Sequence, residues 1–248
     1  MHLNLENSIV LVTGGTASIG KAIVETFLEE GATVLYCSRN CTGKEFENEK
    51  AIGTKLDICD KEAVGRWIQD SADKFGGLDI IVSNVSALAV PDTPENWALT
   101  FQTDIDAAVN LIKLSLPHLK KSTRSPCIIT IASVSGVSHD MSAPGPYGPF
   151  KAALIHYSHN LARELAPKGV RVNIVSPGNI YDKDGFWGSV EKGNKEFFDK
   201  MIGLNPTGRM GTTKEVADAV VFLSSPRSSF TSGANLMVDG VYRVGTQF

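Results

Sequence analysis

The chain has 248 residues, 42% of them hydrophobic, and a formal net charge of -3. That charge gives no electrostatic reason to bind nucleic acid or an anionic membrane, and no apolar run is long enough to span a bilayer. The opening residues, Met1 to Asn7, lack the basic-then-apolar order of a secretory signal, and the four cysteines, Cys37, Cys41, Cys59 and Cys127, show no paired zinc spacing. A cytoplasmic protein with free thiols and no metal site is expected.

Ser8-Ile9-Val10-Leu11-Val12 predicts a first strand, ending at Thr13-Gly14-Gly15. Ile19, Ala22, Ile23, Thr26 and Phe27 then follow helical spacing up to Gly31, a helix-ending residue. Thr33 to Cys37 predicts the second strand and Ile52 to Leu56 a weaker third. Asp60 is placed to cap a helix whose Val64, Trp67, Ile68 and Phe75 share one face, stopped by Gly76-Gly77. Asp79 to Ser83 is the fourth strand, followed by one long amphipathic helix from about Glu95 to Lys120.

Ile128 to Ile131 and Val170 to Val175 predict the fifth and sixth strands, with a helix between them. Thr212-Thr213-Lys214-Glu215 has the form of a capping box opening a last helix, and Asn235 to Val238 is a seventh strand. Near-continuous apolar strands separated by helices imply an α/β fold: one domain with a seven-stranded parallel sheet covered on both faces.

Two local patterns carry chemistry. Thr13-Gly14-Gly15-Thr16-Ala17-Ser18-Ile19-Gly20 joins the first strand to the first helix, where helix N-terminal amides and the macrodipole receive a ligand's phosphates. The second strand ends in Cys37-Ser38-Arg39-Asn40, with no acidic residue for an unphosphorylated ribose, whereas Arg39 offers a guanidinium suited to a 2′-phosphate. NADP(H) is therefore favoured, with NAD(H) as the other possibility. Tyr147 and Lys151, four residues apart, fall on one face at the head of a helix. An ammonium beside a phenol stabilises the phenolate, which suits proton exchange.

Together these features resemble the short-chain dehydrogenase/reductase family over nearly the whole chain, with 3-oxoacyl-carrier-protein-reductase-like members the nearest pattern. Thr13, Gly14 and Gly20 match the family's T-G-x-x-x-G-x-G turn. Asp57, followed by Ile58, matches the acidic position beside the adenine. Asn84 takes the second position of the N-N-A-G stretch, and Ser133, with Ser135 as its rival, falls where the catalytic serine ends the fifth strand. Tyr147 and Lys151 match the Y-x-x-x-K motif, Pro177-Gly178 the Pro-Gly turn, and Val238-Asp239-Gly240 the terminal V-D-G signature.

The resemblance implies a doubly wound Rossmann fold and a homotetramer. It also implies an NAD(P)-dependent oxidoreductase interconverting a ketone and a secondary alcohol. Tyr147 would be the general acid/base, Ser133 the partner of the carbonyl oxygen, and Lys151 a tuner of Tyr147 that also binds the nicotinamide ribose. Thr16, Ser18, Ile19 and Ile180 join the expected cofactor set.

Four departures stand out: Ser18 for the middle glycine, Asp104 for a catalytic asparagine, one extra residue in the Val137 to Gly145 loop, and Asp182 where a threonine often contacts the carboxamide. Asp104 is read as a member of the proton relay or as a helix-structural polar group. Residues 179–206 are expected to form a substrate lid in which Tyr181 and Trp187 touch substrate, although Phe197, Phe198 and Met201 also fit a buried helix face. The competing readings are epimerisation, elimination or imine reduction on the same fold, or a non-catalytic nucleotide-binding relative.

Overall fold

In the computed structural model, which describes residues 2–139 and 143–245, the strand and helix patterns close into one α/β domain. Asp140, Met141 and Ser142, in the loop expected to carry the extra residue, lie outside the described residues. The chain runs β1 (Ile9–Thr13), α1 (Ser18–Glu29), β2 (Thr33–Ser38), β3 (Ala51–Lys55), α2 (Lys61–Phe75) and β4 (Ile80–Ser83). It continues through α3 (Pro94–Thr100), a π-helical segment (Phe101–Asp106), α4 (Ala107–Leu119), β5 (Cys127–Ile131), α5 (Tyr147–Leu165) and β6 (Arg171–Pro177). The last part holds β7 (Ile180–Tyr181), α6 (Phe186–Gly193), α7 (Lys195–Gly203), β8 (Gly211–Thr212), α8 (Thr213–Ser224) and β9 (Asn235–Val238).

Seven strands pair in parallel in the order β3-β2-β1-β4-β5-β6-β9. Because side chains alternate along a strand, Val10 and Val12 join one core with α1 and α8, while Ile9 and Leu11 join another with α2, α4 and α5. The order reverses between β1 and β4. In open parallel sheets that reversal leaves a ligand crevice beyond the C-terminal strand ends.

The predicted caps are present: Asp60 accepts from the Ala63 N–H, and Thr212 and Glu215 form the reciprocal capping box. Arg171, buried at the start of β6, donates to the carbonyl oxygens of Leu223, Ser224 and Ser225, closing the C-terminal end of α8. Burial raises the Cys127 thiol to about 11, in keeping with its reading as a small core residue.

Three features differ from expectation. No helix bridges β2 and β3. Instead Glu45 organises the irregular crossover, accepting from Tyr36 Oη at 2.7 Å, the Thr42 N–H at 2.6 Å and Thr42 Oγ1 at 2.8 Å. The long helix predicted for residues 95–120 is interrupted by the π segment, a wider turn that places Asp104 on the buried side, in line with Thr100 and Ala107. A two-residue parallel ladder, β7 on β8, clips the start of segment 182–210 to its end.

Candidate active site

The turn after β1 is shaped by close approach. The Gly14 and Gly15 N–H groups both donate to the Cys37 carbonyl oxygen, at 2.8 and 3.2 Å, which pins the turn to the end of β2. A Cβ on Gly20 would lie 2.0 Å from the Gly14 carbonyl oxygen, so only glycine lets α1 start this close to the turn. Ser18 occupies the left-handed region at φ 48, tolerating there what a glycine would adopt freely. Ala17 precedes α1 and offers no side-chain cap. The first amides of α1 are thus left for a ligand, in a cavity wall formed by Gly14, Ala17, Ser18, Ile19 and Gly20. These residues fit a dinucleotide's pyrophosphate.

Thr13 does not reach this wall. It is buried beneath it, its Oγ1 accepting from the Asn84 N–H at 3.0 Å while Asn84 Nδ2 donates to the Thr13 carbonyl oxygen at 2.9 Å. It therefore braces the turn from behind and does not line the cavity. By the alternation of β1, Thr13 falls on the same face as Ile9 and Leu11.

At the end of β2, Thr16 Oγ1 donates to Ser38 Oγ at 3.0 Å, and Arg39 is exposed beside them. Burial holds the Cys59 thiol above its ordinary range, opposed by the Thr103 hydroxyl and more weakly by the Arg39 guanidinium. Asp57 is exposed, its Oδ1 accepting from the Cys59 N–H, while the Ile58 side chain is buried in the α2-side core. Thr16, Arg39, Asp57 and Ile58 thus lie outside the main cavity, at the end where an adenosine would extend.

The elements carrying Ser133, Tyr147 and Lys151 meet across a tight contact. Ser133, two residues past β5 and still in extended backbone, opens a 3-10 turn, Val134–Gly136. This turn rests on the first turn of α5: a Cβ on Gly136 would lie 2.8 Å from the Lys151 carbonyl carbon, and one on Gly148 2.8 Å from the Ser135 carbonyl oxygen. Ser133 Oγ donates to Ser135 Oγ at 3.1 Å and accepts from the Ser135 N–H at 3.1 Å, so both candidate serines share one locus on the cavity wall.

Lys151 is 2% exposed, yet it is a charged side chain, and burial of a charge demands partners. Its Nζ donates to the Ile131 carbonyl oxygen at 3.1 Å, pairs with Asp104 Oδ2 at 3.2 Å and lies 5.6 Å from the centre of the Tyr147 ring. Asp104 is itself 1% exposed and does not line the cavity. It sits behind Lys151, so any effect it has on catalysis runs through that residue. Sequence reading also passed over Ser86, whose Oγ donates to Asp104 Oδ2 at 2.5 Å, and nothing in the strand pattern around it marks such a partner.

The cavity has a volume of about 440 Å³ and continues past Asn84, Tyr147, Pro177, Gly178 and Ile180 to a largely apolar end at Leu88, Val90, Phe186 and Trp187. Trp187 lines this cavity, whereas Tyr181 does not. Successive strand residues face opposite ways, so Ile180 points into the main cavity, while Tyr181 faces a second one, where its Oη donates to Glu191 at 2.7 Å. Tyr181 is therefore withdrawn from the substrate contacts, and Phe186 lines the wall that it was expected to form. Phe198 and Met201 bury a small core with Trp187 and Met210, as the helix-face reading held.

Among the described residues, no helix is long and apolar enough to cross a membrane, and no cluster of three or more histidine, cysteine or acidic side chains is placed to hold a metal.

Comparison with known proteins agrees with this architecture. A family model described as enoyl-(acyl carrier protein) reductase matches residues 14–242. Isoepoxydon dehydrogenase of Penicillium expansum is 38% identical, over 98% of both chains. The 3-oxoacyl-[acyl-carrier-protein] reductase of Vibrio cholerae is 32% identical, over 96% of this chain and 98% of that one. The ligand-free structure of Thermoplasma acidophilum aldohexose dehydrogenase superposes with a TM-score of 0.88 at 25% identity, over 100% of this chain and 98% of that one. A short chain dehydrogenase from Leptospira borgpetersenii, solved with NAD+ bound, gives a TM-score of 0.85 at 26% identity, over 96% and 93% of the two chains. The conjunction of a reversing parallel sheet, a phosphate-ready first turn and full-length relatives named as dehydrogenases and reductases makes this chain a member of the short-chain dehydrogenase/reductase family, an NAD(P)-dependent oxidoreductase acting on CH–OH and C=O groups.

Proposed function

We propose that the protein is an NADP(H)-dependent reductase that interconverts a compact, neutral ketone and its secondary alcohol, with Tyr147 as the general acid/base. The observation that carries this reading is the junction of Ser133, Tyr147 and the buried Lys151 in one cavity with the uncapped start of α1. The nicotinamide, when bound, supplies or takes the hydride. Gly14, Ser18, Ile19 and Gly20 hold its pyrophosphate, Asn84, Pro177, Gly178 and Ile180 line the nicotinamide side, and Arg39 with Thr16 and Ser38 receives the 2′-phosphate.

In the reducing direction Tyr147 Oη gives its proton to the substrate oxygen. The Ser133 hydroxyl hydrogen-bonds the same oxygen as negative charge grows on it. Lys151 keeps one N–H beyond those facing Ile131 and Asp104, and directs it towards the phenol and the ribose.

Among the described residues the charged side chains lining the cavity are Lys151 and Asp182, and its far end is apolar, which favours an uncharged substrate over an anionic one. Residues 179–206 act as the lid over that end. Isoepoxydon, named by the Penicillium relative, is the first compound to test, alongside a panel of cyclic ketones. The NAD+ in the Leptospira structure makes NAD(H) the competing cofactor.

Exposed Trp97 and Phe101 cluster with half-buried Phe150 on α3, the π segment and α5, a face suited to contacts within a homotetramer; light scattering reads that state directly. Four free cysteines suit a reducing, cytoplasmic location. Tyr147→Phe tests the central claim: NADPH oxidation with the best ketone should fall at least a hundredfold with NADPH affinity retained. Unchanged turnover removes Tyr147 as the acid.

A further inference from the structure

Two departures from the family pattern touch each other. Ser86 falls on the glycine position of the N-N-A-G stretch that Asn84 enters, and Asp104 falls on the asparagine position. Between them runs the 2.5 Å hydrogen bond from Ser86 Oγ to Asp104 Oδ2. The carboxylate is otherwise filled: Oδ1 accepts from the Ala87 N–H at 2.8 Å, and Oδ2 also faces Lys151 Nζ at 3.2 Å. Ser86 Oγ in turn accepts from the Leu88 N–H at 3.3 Å, and Leu88 itself holds a left-handed backbone at φ 50.

One buried anion therefore joins two things. On one side it fixes the ammonium beside Tyr147. On the other it fixes residues 86–88, of which Ser86 and Leu88 line the cavity. An amide at position 104 cannot serve both sides. With its oxygen towards Lys151 its NH2 meets the Ala87 N–H, and with its oxygen towards Ala87 its NH2 meets the ammonium.

We infer that Ser86 and Asp104 form a coupled positioning pair that ties Lys151 to the 86–88 wall of the substrate cavity, so that orientation of the proton donor and shape of the substrate wall depend on the same carboxylate. The pair acts through Lys151 and the wall and does not itself touch reacting atoms. Asp104 as a carboxylate is matched to Ser86: the hydroxyl supplies the donor that the second carboxylate oxygen requires in a dry site.

This inference rests on the reductase reading, so Tyr147→Phe is measured in parallel. The test is a double-mutant cycle of Ser86→Ala and Asp104→Asn, with Ser86→Thr as the conservative variant and a thermal melt and NADPH titration for each. Ser86→Ala should lower kcat about tenfold and raise the ketone KM while the NADPH Kd stays within twofold. Ser86→Thr, which keeps the hydroxyl, should restore most of the kcat. The double variant should be no worse than Asp104→Asn alone, because both changes break one unit. Additive losses, or wild-type kcat and KM in Ser86→Ala, overturn the inference. If Asp104→Asn does not fold, the contrast between Ser86→Ala and Ser86→Thr decides it alone. A dead Tyr147→Phe beside an unaffected Ser86→Ala removes only this inference, whereas an unaffected Tyr147→Phe removes the catalytic reading beneath it.

Discussion

Gly148→Ala should separate catalysis from folding. An added Cβ would lie 2.8 Å from the Ser135 carbonyl oxygen, inside the 3.4 Å at which ordinary contact begins, so the two backbones must part by roughly 0.6 Å. Neither gives easily: the Ser135 turn closes on itself through the Gly136 N–H to the Ser133 carbonyl oxygen, and position 148 is in the first turn of α5. Ser133 rides on one element, and Tyr147 and Lys151 on the other. A misplacement of about 1 Å costs about a hundredfold in rate, so roughly half that distance predicts a fall in kcat of about tenfold. The phosphate turn at Gly14 to Gly20 belongs to other elements, so NADPH affinity should hold. Helix propensity favours alanine by about 1 kcal/mol, which offsets part of the strain and keeps the melting temperature within a few degrees. Gly65→Ala is the control, since its Cβ would meet only Leu114 Cδ1 at 3.8 Å. Steady-state kinetics with titration of NADPH fluorescence reads the outcome. A folded Gly148→Ala enzyme with unchanged kcat would refute the claim that this contact sets the catalytic geometry.

Three further outcomes are expected. Arg39→Ala should weaken NADPH binding at least tenfold and leave NADH binding almost unchanged; equal losses in calorimetric titration remove the 2′-phosphate assignment. Arg171→Met takes a donor from the carbonyls of Leu223, Ser224 and Ser225; Leu223 and Ser225 keep bonds from Ser228, so the loss falls on Ser224, and urea denaturation should show a loss of about 1–3 kcal/mol, whereas unchanged stability contradicts the clamp. Partial desolvation pushes the Glu45 carboxyl up, but hydrogen bonds from Thr42 and Tyr36 outweigh it and hold the group down at about 2. Its contribution to stability is therefore complete above the usual glutamate range near 4.5 and fades as pH falls towards 2. Denaturation midpoints of Glu45→Gln and the parent should differ at pH 6 and the gap should narrow steadily as pH falls from 4.5 towards 2, and a pH-independent gap contradicts this.

Strands and capped helices were legible because their causes are local. Val10 and Val12 against Ile9 and Leu11 encode two buried faces, and Asp60 and Thr212 cap the helices they precede. The stacking of Tyr147 and Lys151 was legible for the same reason, being one helical turn. What escaped depends on distance in sequence. The π segment is invisible to a 3.6-residue period, since a single wide turn shifts the register by less than the pattern resolves, and Asp104 is buried only because Lys151 comes to meet it. Ser86 is a polar residue in a strand-end loop, and its partner is 18 positions on. Tyr181 was misplaced because β7 is two residues long, too short for alternation to be seen before its pairing with β8 is known.

The β7–β8 ladder makes the substrate wall a cassette. Segment 182–210 leaves and re-enters the domain at neighbouring points, and it carries its own small core of Trp187, Phe198, Met201 and Met210, distinct from the two cores that cover the sheet. With its ends already joined, lengthening it costs little, about 0.6 kcal/mol for each doubling. The segment is therefore the part of this enzyme that can be exchanged whole with a relative's, redirecting the cavity to another alcohol while the phosphate turn and the Tyr147–Lys151 pair are left as they stand.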